Sequence, residues 1–122
     1  MADTISLGLA LGLTTTNGTT RLAPATKSIT MVGAQYHRSV QIVGTTTEEL
    51  ALGDVATPGY LACTNLDATN FVQIGLATPV DAGNAFAKLL PGESCLIPTR
   101  QTTIYALADT ANVNLDVLMI EL

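Results

Sequence analysis

Along the first part of the chain the apolar positions alternate instead of recurring at helical spacing. Ile5, Leu7, Leu9, Leu11 and Leu13 are separated by Ser6, Gly8, Ala10 and Gly12, a period of two that belongs to a β-strand. A helix would spread these side chains around its circumference, and its two internal glycines would cost roughly 2 kcal/mol relative to alanine. As a strand, the segment has one wholly branched-aliphatic face and one nearly bare face, which lets another backbone or sheet come close. Ile5, Leu7, Leu9, Leu11 and Leu13 are therefore the candidate interface, read against the alternative of an ordinary terminal strand packed into its own core. Asn17-Gly18, inside the threonine-rich stretch that follows, predicts a hairpin closed by a type I′ turn, because both residues tolerate positive φ. Pro24 marks an edge or a connection.

Further on, residues 28–36 and 39–43 read as strands. Thr47-Glu48-Glu49 has the look of a helix start, but Gly53-Asp54 stops it within two turns, which leaves a short strand or a single turn. Beyond Pro58-Gly59 the rhythm is regular. Residues 60–64, 70–76, 85–90, 94–97, 103–108 and 113–121 are strand candidates, split by turns at Asn65-Leu66-Asp67, residues 79–84, Pro91-Gly92, Pro98-Thr99 and residues 109–112. Short strands at this spacing predict an all-β, antiparallel two-sheet sandwich rather than βαβ units. With the N-terminal hairpin the expected total is eight to ten strands, the count of a jelly roll. A single domain over 1–122 is expected, with a strand-and-hairpin arm over 1–26 and a β-sandwich body over 27–122. Phe71, Ile74, Phe86, Leu89, Leu96, Tyr105, Leu115, Val117 and Met119 are the expected core.

Composition sharpens this picture. A length of 122 residues fits one domain. Only 12% of residues are charged, about half the usual share of roughly 25%; nineteen threonines and sixteen alanines fill the gap. So few charges give little electrostatic protection against self-association, which implies that partners cover much of the surface, unless Thr and Asn alone keep the chain soluble. No membrane partner is expected, since the longest apolar run, residues 5–13, has glycines inside it and is well short of the ~20 residues a spanning helix needs. Asp3 stands where a signal peptide would carry its basic region. A net charge of −5 and a pI near 4.4 argue against nucleic acid.

Chemistry is sparse. His37 is the sole imidazole, too few for a zinc site of three His or of two His and a Glu. A nucleophile–His–acid triad would have to use it beside Arg38, which disfavours the imidazolium a general base must form. Asp54, Asp67, Asp81, Glu93 and Asp109 are dispersed in turns without calcium-loop spacing; Asp67 and Asp109 read as caps of Asx turns. Cys63 and Cys95 make no disulfide framework and read as small buried thiols. Gly8 and Gly12 lie inside a strand pattern rather than in a phosphate loop. The expectation is a protein that is not an enzyme, with no catalytic residues, no metal and no cofactor.

Leu52-Gly53-Asp54-Val55, Thr57-Pro58-Gly59-Tyr60 and Asn65-Leu66-Asp67-Ala68-Thr69-Asn70-Phe71, followed by residues 89–98 (LLPGESCLIP) and 104–122, carry a resemblance. Over roughly residues 40 to 122 the chain resembles a family of small structural proteins of tailed bacteriophages, jelly-roll modules that decorate virions as capsid cement or as parts of head or tail fibres. The resemblance implies a homotrimer that binds the major capsid protein on the outer capsid surface, with the host cytoplasm as the site of assembly and no nucleic acid among its partners. The other function it allows is a receptor- or glycan-binding module of a head fibre or tail, for which Tyr36, Tyr60 and Asn84 are the candidate contacts.

Overall fold

The computed structural model describes residues 3–33 and 35–122. Among them every regular element is a strand: β1 (Thr4–Leu7), β2 (Leu11–Thr15), β3 (Gly18–Leu22), β4 (Lys27–Thr30), β5 (Tyr36–Val43), β6 (Glu48–Glu49), β7 (Pro58–Asn65), β8 (Val72–Gly75), β9 (Ala85–Leu89), β10 (Ser94–Pro98), β11 (Tyr105–Ala108) and β12 (Val113–Glu121). The chain divides into two compact units, an arm, Met1–Ala34, and a body, Gln35–Leu122.

In the arm, β1 pairs antiparallel with β4, Ile5 opposite Ile29, and β2 pairs with β3. The strand expected over residues 5–13 is thus divided at Gly8-Leu9-Ala10. Glycine gives up the most backbone freedom in a strand and offers no side chain to pack. Residues 27–30, expected to open the body, pair inside the arm instead. The hairpin turn also differs from expectation. Thr15 and Gly18 are the flanking pair, so Thr16-Asn17 is the loop. No non-glycine residue described has positive φ, while Gly18 sits at +138°. A local hydroxyl replaces type I′ geometry: Thr15 Oγ1 donates to Gly18 O (3.0 Å) and accepts from Asn17 N (3.2 Å).

The body holds eight strands in two antiparallel four-stranded sheets, ordered β10-β7-β12-β5 and β6-β11-β8-β9. β5 lies beside β12, β6 beside β11, β7 beside β10 and β8 beside β9. This is one long hairpin doubled over, with the chain crossing between sheets at every step except β8–β9. That is the strand order of a jelly-roll sandwich. Pro58 is the first residue of its strand and Pro98 lies on the edge strand β10, the places where a missing N–H does least harm.

The core lies between the sheets. β12 contributes Val113, Leu115, Val117 and Met119; β8 contributes Val72 and Ile74; Leu61 and Cys63 come from β7, Ile104, Ala106 and Ala108 from β11 and the segment before it. Burying each large aliphatic among them contributes roughly 1.5–3 kcal/mol. Ile74, Leu89, Leu115, Val117 and Met119 are buried as expected. Phe71, Leu96 and Tyr105 are only half-buried and Phe86 is exposed. The cause is strand phase: with Ile104, Ala106 and Ala108 inward, Tyr105 must face out, and inward Ala87 and Leu89 turn Phe86 and Lys88 out. Phe71 is covered from outside by Lys88, whose Nζ sits 3.9 Å from the ring centroid.

Candidate functional site

Strand β5 is inverted. Its inward positions are His37, Ser39, Gln41 and Val43, half-buried except for the fully buried valine, while Tyr36, Arg38, Val40 and Ile42 face out and are exposed. The polar inward groups are satisfied locally. Gln41 Nε2 donates to Glu48 Oε1 (3.1 Å) and Glu49 O (3.0 Å), and its Oε1 accepts from Ala51 N (2.9 Å). His37 Nε2 and Ser39 Oγ share a hydrogen bond of 3.1 Å. Gly53, at φ +57°, lies against the His37 ring. The lone histidine is therefore a packed strand residue, bonded to the hydroxyl of its neighbour on the same side of the strand.

Register then defines what the outer face of this sheet presents. Tyr36, Ile120, Tyr60 and Pro98 stand in one cross-strand row, and Arg38, Leu118, Ala62 and Leu96 in the next. Val40, Asp116, Thr64 and Ser94 form a third. Only two of these side chains are charged, and they bond each other: Arg38 Nη2 donates to Asp116 Oδ2 at 2.9 Å, a bond that raises the Arg38 pKa above its ordinary value. A shallow depression of about 140 Å³ is lined by Arg38, Ala62, Thr64, Asp116 and Leu118. Tyr36 and Tyr60 thus share a row across Ile120. Asn84 is not part of it: it lies just ahead of β9, on the other sheet, where its amide donates to Pro79 O (2.8 Å) and accepts from Asp81 N (3.0 Å).

The arm supplies the second apolar surface. Leu11 opposes Leu22 and Leu13 opposes Thr20, so the three leucines share one side of the β2–β3 hairpin. They are 72%, 63% and 57% exposed, and Leu9, just before the hairpin, 54%. Ile5 is buried and Leu7 half-buried in the β1–β4 pair. The five residues picked out in the sequence therefore divide, and Leu22 joins the exposed three. Leu22 was missed because the pattern was followed along one strand only, whereas the hairpin register adds its neighbour.

Asp67 Oδ2 accepts from Asn70 N and Thr69 N, which holds its carboxyl below the usual carboxylate range. Cys63 and Cys95 stand directly opposite on β7 and β10, and both are free thiols. The hydrogen bond from Cys63 to Cys95, together with burial, pushes the Cys63 thiol up, and the same bond draws Cys95 down. Among the described residues no three His, Cys, Asp or Glu side chains gather as a metal site. Comparison with known proteins finds no matching family model, no matching curated protein and no matching solved structure.

Proposed function

We propose that this chain is a contact-making structural protein of a virion, a capsid cement or decoration protein that sits as a homotrimer on the outer surface of the major capsid protein shell. The observation that carries this reading is the aliphatic side of the arm, where Leu11, Leu13 and Leu22 are each more than half exposed on one side of a hairpin too small to bury them itself, with Leu9 just before it as exposed. The resemblance of residues 40–122 to small structural proteins of tailed bacteriophages supplies the virion setting. The acidic balance fits an exterior, DNA-averse position. Three subunits joined in one trimer raise effective affinity for the shell through multivalency, so each contact need be only moderate.

The test is sedimentation of the protein with intact heads, empty shells and isolated tails. Stoichiometric recovery with heads and shells, absence from tails, and loss of binding on deletion of residues 2–14 are the expected results. Recovery with tails alone, or unchanged shell occupancy by the deleted chain, overturns the proposal. A second reading, a receptor- or glycan-binding module of a head fibre or tail, is favoured by the Tyr36–Ile120–Tyr60 row, which sets two aromatic rings on one outward face. Capture by host envelope rather than by empty capsids selects it.

A further inference from the structure

We infer that the leucine side of the arm of one copy packs on the outer face of sheet β10-β7-β12-β5 of a second copy. This deepens the proposed function and rests on its reading of the chain as a self-associating scaffold. Three observations lead here.

The first is the apolar pattern of the sheet. Val117, Leu118, Met119 and Ile120 are consecutive apolar residues on β12, so its two faces are both apolar. Val117 and Met119 fill the core. Leu118 and Ile120 face out with Tyr36, Tyr60, Ala62 and Leu96. A strand apolar on both sides is the pattern of a sheet covered on both sides.

The second is the form of the arm. A two-stranded hairpin is marginal in water by itself and gains stability by laying its apolar side on another layer. Five-residue strands span about 17 Å at roughly 3.4 Å per residue, close to the width of about 19 Å of a four-stranded sheet at roughly 4.8 Å per strand. The two surfaces match as stacked sheets do, side chains interdigitating across about 10 Å.

Charge selects the second copy as the occupant. The body carries Arg38, Lys88 and Arg100 against nine carboxylates, whereas the arm carries Arg21 and Lys27 against Asp3. Two bodies meeting face to face would bring strongly negative units together; a weakly positive arm on a negative body does the reverse. On the acceptor face Arg38 and Asp116 are bonded to each other and Arg100 stands over the Tyr60 ring, 6.0 Å from its centroid, so the attraction acts between the whole units rather than at the contact. The contact joins two different surfaces, so it is heterologous, and repetition about a rotation axis closes a ring. Three copies make the trimer.

The test uses the full chain and sedimentation velocity between 1 and 100 μM. An arm lesion, L11D/L13D, changes two exposed positions. A face lesion, Leu118→Asp, is accompanied by the more exposed Tyr36→Asp, which keeps the experiment interpretable should the first variant unfold; circular dichroism checks each fold. The wild type is expected as a trimer, and each lesion alone as a monomer with association weakened at least ten-fold. An equal mixture of the arm and face variants is expected to give a one-to-one heterodimer, since it retains one intact arm and one intact face. A wild type that stays monomeric, folded variants that stay trimeric, or a mixture of folded variants that stays monomeric each overturns the inference. Binding to heads by a monomer sinks this contact and the trimer, and leaves the capsid-surface reading standing. A trimer that both lesions dissociate but that ignores heads does the opposite.

Discussion

Asn65 is a fully buried polar residue at the end of β7, and replacing it measures how the loops at that end are held. Its Nδ2 donates to Asn70 O (2.9 Å) and Leu89 O (3.0 Å), while Oδ1 accepts from Asp67 N (2.9 Å). Its main chain adds two more bonds, N to Glu93 O (2.9 Å) and O from Gly92 N (3.0 Å). One side chain thus joins the β7–β8 loop to the end of β9, beside the β9–β10 turn. Asn65→Ala removes three side-chain bonds. At about 1 kcal/mol for each, rising toward 2 for the buried Leu89 carbonyl left without a donor, the loss is about 3–4 kcal/mol. For a body of this size that lowers Tm by on the order of 12–30 °C. Asn65→Asp keeps the shape but aims a carboxylate at two carbonyls, so it is expected to cost at least as much at pH 7. Burial and those carbonyls raise the folded pKa of the new carboxyl above its unfolded value, near 4. The penalty is therefore largest above the folded pKa and shrinks as pH falls through it, where the protonated acid can donate one bond. Urea unfolding followed by circular dichroism at pH 7 and 4.5 measures both. A cost below 1 kcal/mol for Asn65→Ala, or a penalty for Asn65→Asp that does not shrink with acid, refutes the reasoning.

Three further outcomes follow from the body. Gly53→Ala places a methyl carbon 2.5 Å from His37 Nδ1 at a φ of +57°, so it is expected to cost about 2–3 kcal/mol, about 1–2 of it backbone strain; in a His37→Ala background only the strain should remain, and a double-mutant cycle with equal costs in both backgrounds contradicts the contact. The bonds from Thr69 and Asn70 lower the folded pKa of Asp67, so its contribution is complete above the ordinary value near 4 and is lost as pH falls through the lowered one. Asp67→Asn should flatten the acid side of the stability curve between pH 5 and 2.5, and a curve parallel to that of the wild type counts against this. With a thiol-specific reagent at pH 8, Cys95 should react before Cys63, whose raised pKa and burial protect it until unfolding; simultaneous labelling in the native state would show the pair to be open.

Much of the body was legible because its strands are separated by residues that dictate turns. Pro58-Gly59, Asn65-Leu66-Asp67, Pro91-Gly92 and residues 109–112 delimit strands that fall within two residues of expectation, and β12 matches residue for residue. Sheet membership was not legible, because pairing β5 with β12 joins residues about eighty positions apart, and no local pattern reports such a partner. Inward phase failed where both parities carry apolar side chains: at Phe86 and Tyr105, small alanines took the inner positions that aromatic bulk had suggested. The candidate interface was half legible. Alternation from Ile5 to Leu13 found the leucines, yet Gly8 broke the strand and gave Ile5 a buried place opposite Ile29. The outer sheet face escaped notice because it is assembled from four strands.

Strand β5 forgoes burial that a one-residue slip would supply. Shifting its pairing with β12 by one position would turn Tyr36, Arg38, Val40 and Ile42 inward and send His37, Ser39, Gln41 and the buried Val43 to solvent. Burying the two aliphatic residues, 57% and 62% exposed as they stand, would contribute up to roughly 3–5 kcal/mol. What opposes the slip is local bonding: three hydrogen bonds at Gln41, one between His37 and Ser39, and the Gln35 N–H donated to Glu121 Oε2. At about 1 kcal/mol each these sum to a similar figure, and the slip would also expose Val43 and bring Arg38 inward away from Asp116, so the observed register is the more stable even in an isolated body. Covering the outer face widens that preference. A second layer over Val40, Ile42 and their neighbours recovers the forgone burial only in the observed register, while the inward bonds are kept. In the inferred assembly, association and correct strand pairing are therefore coupled, and lesions that dissociate it should also raise amide exchange along β5 more than along β8, whose inward residues are held by the core alone.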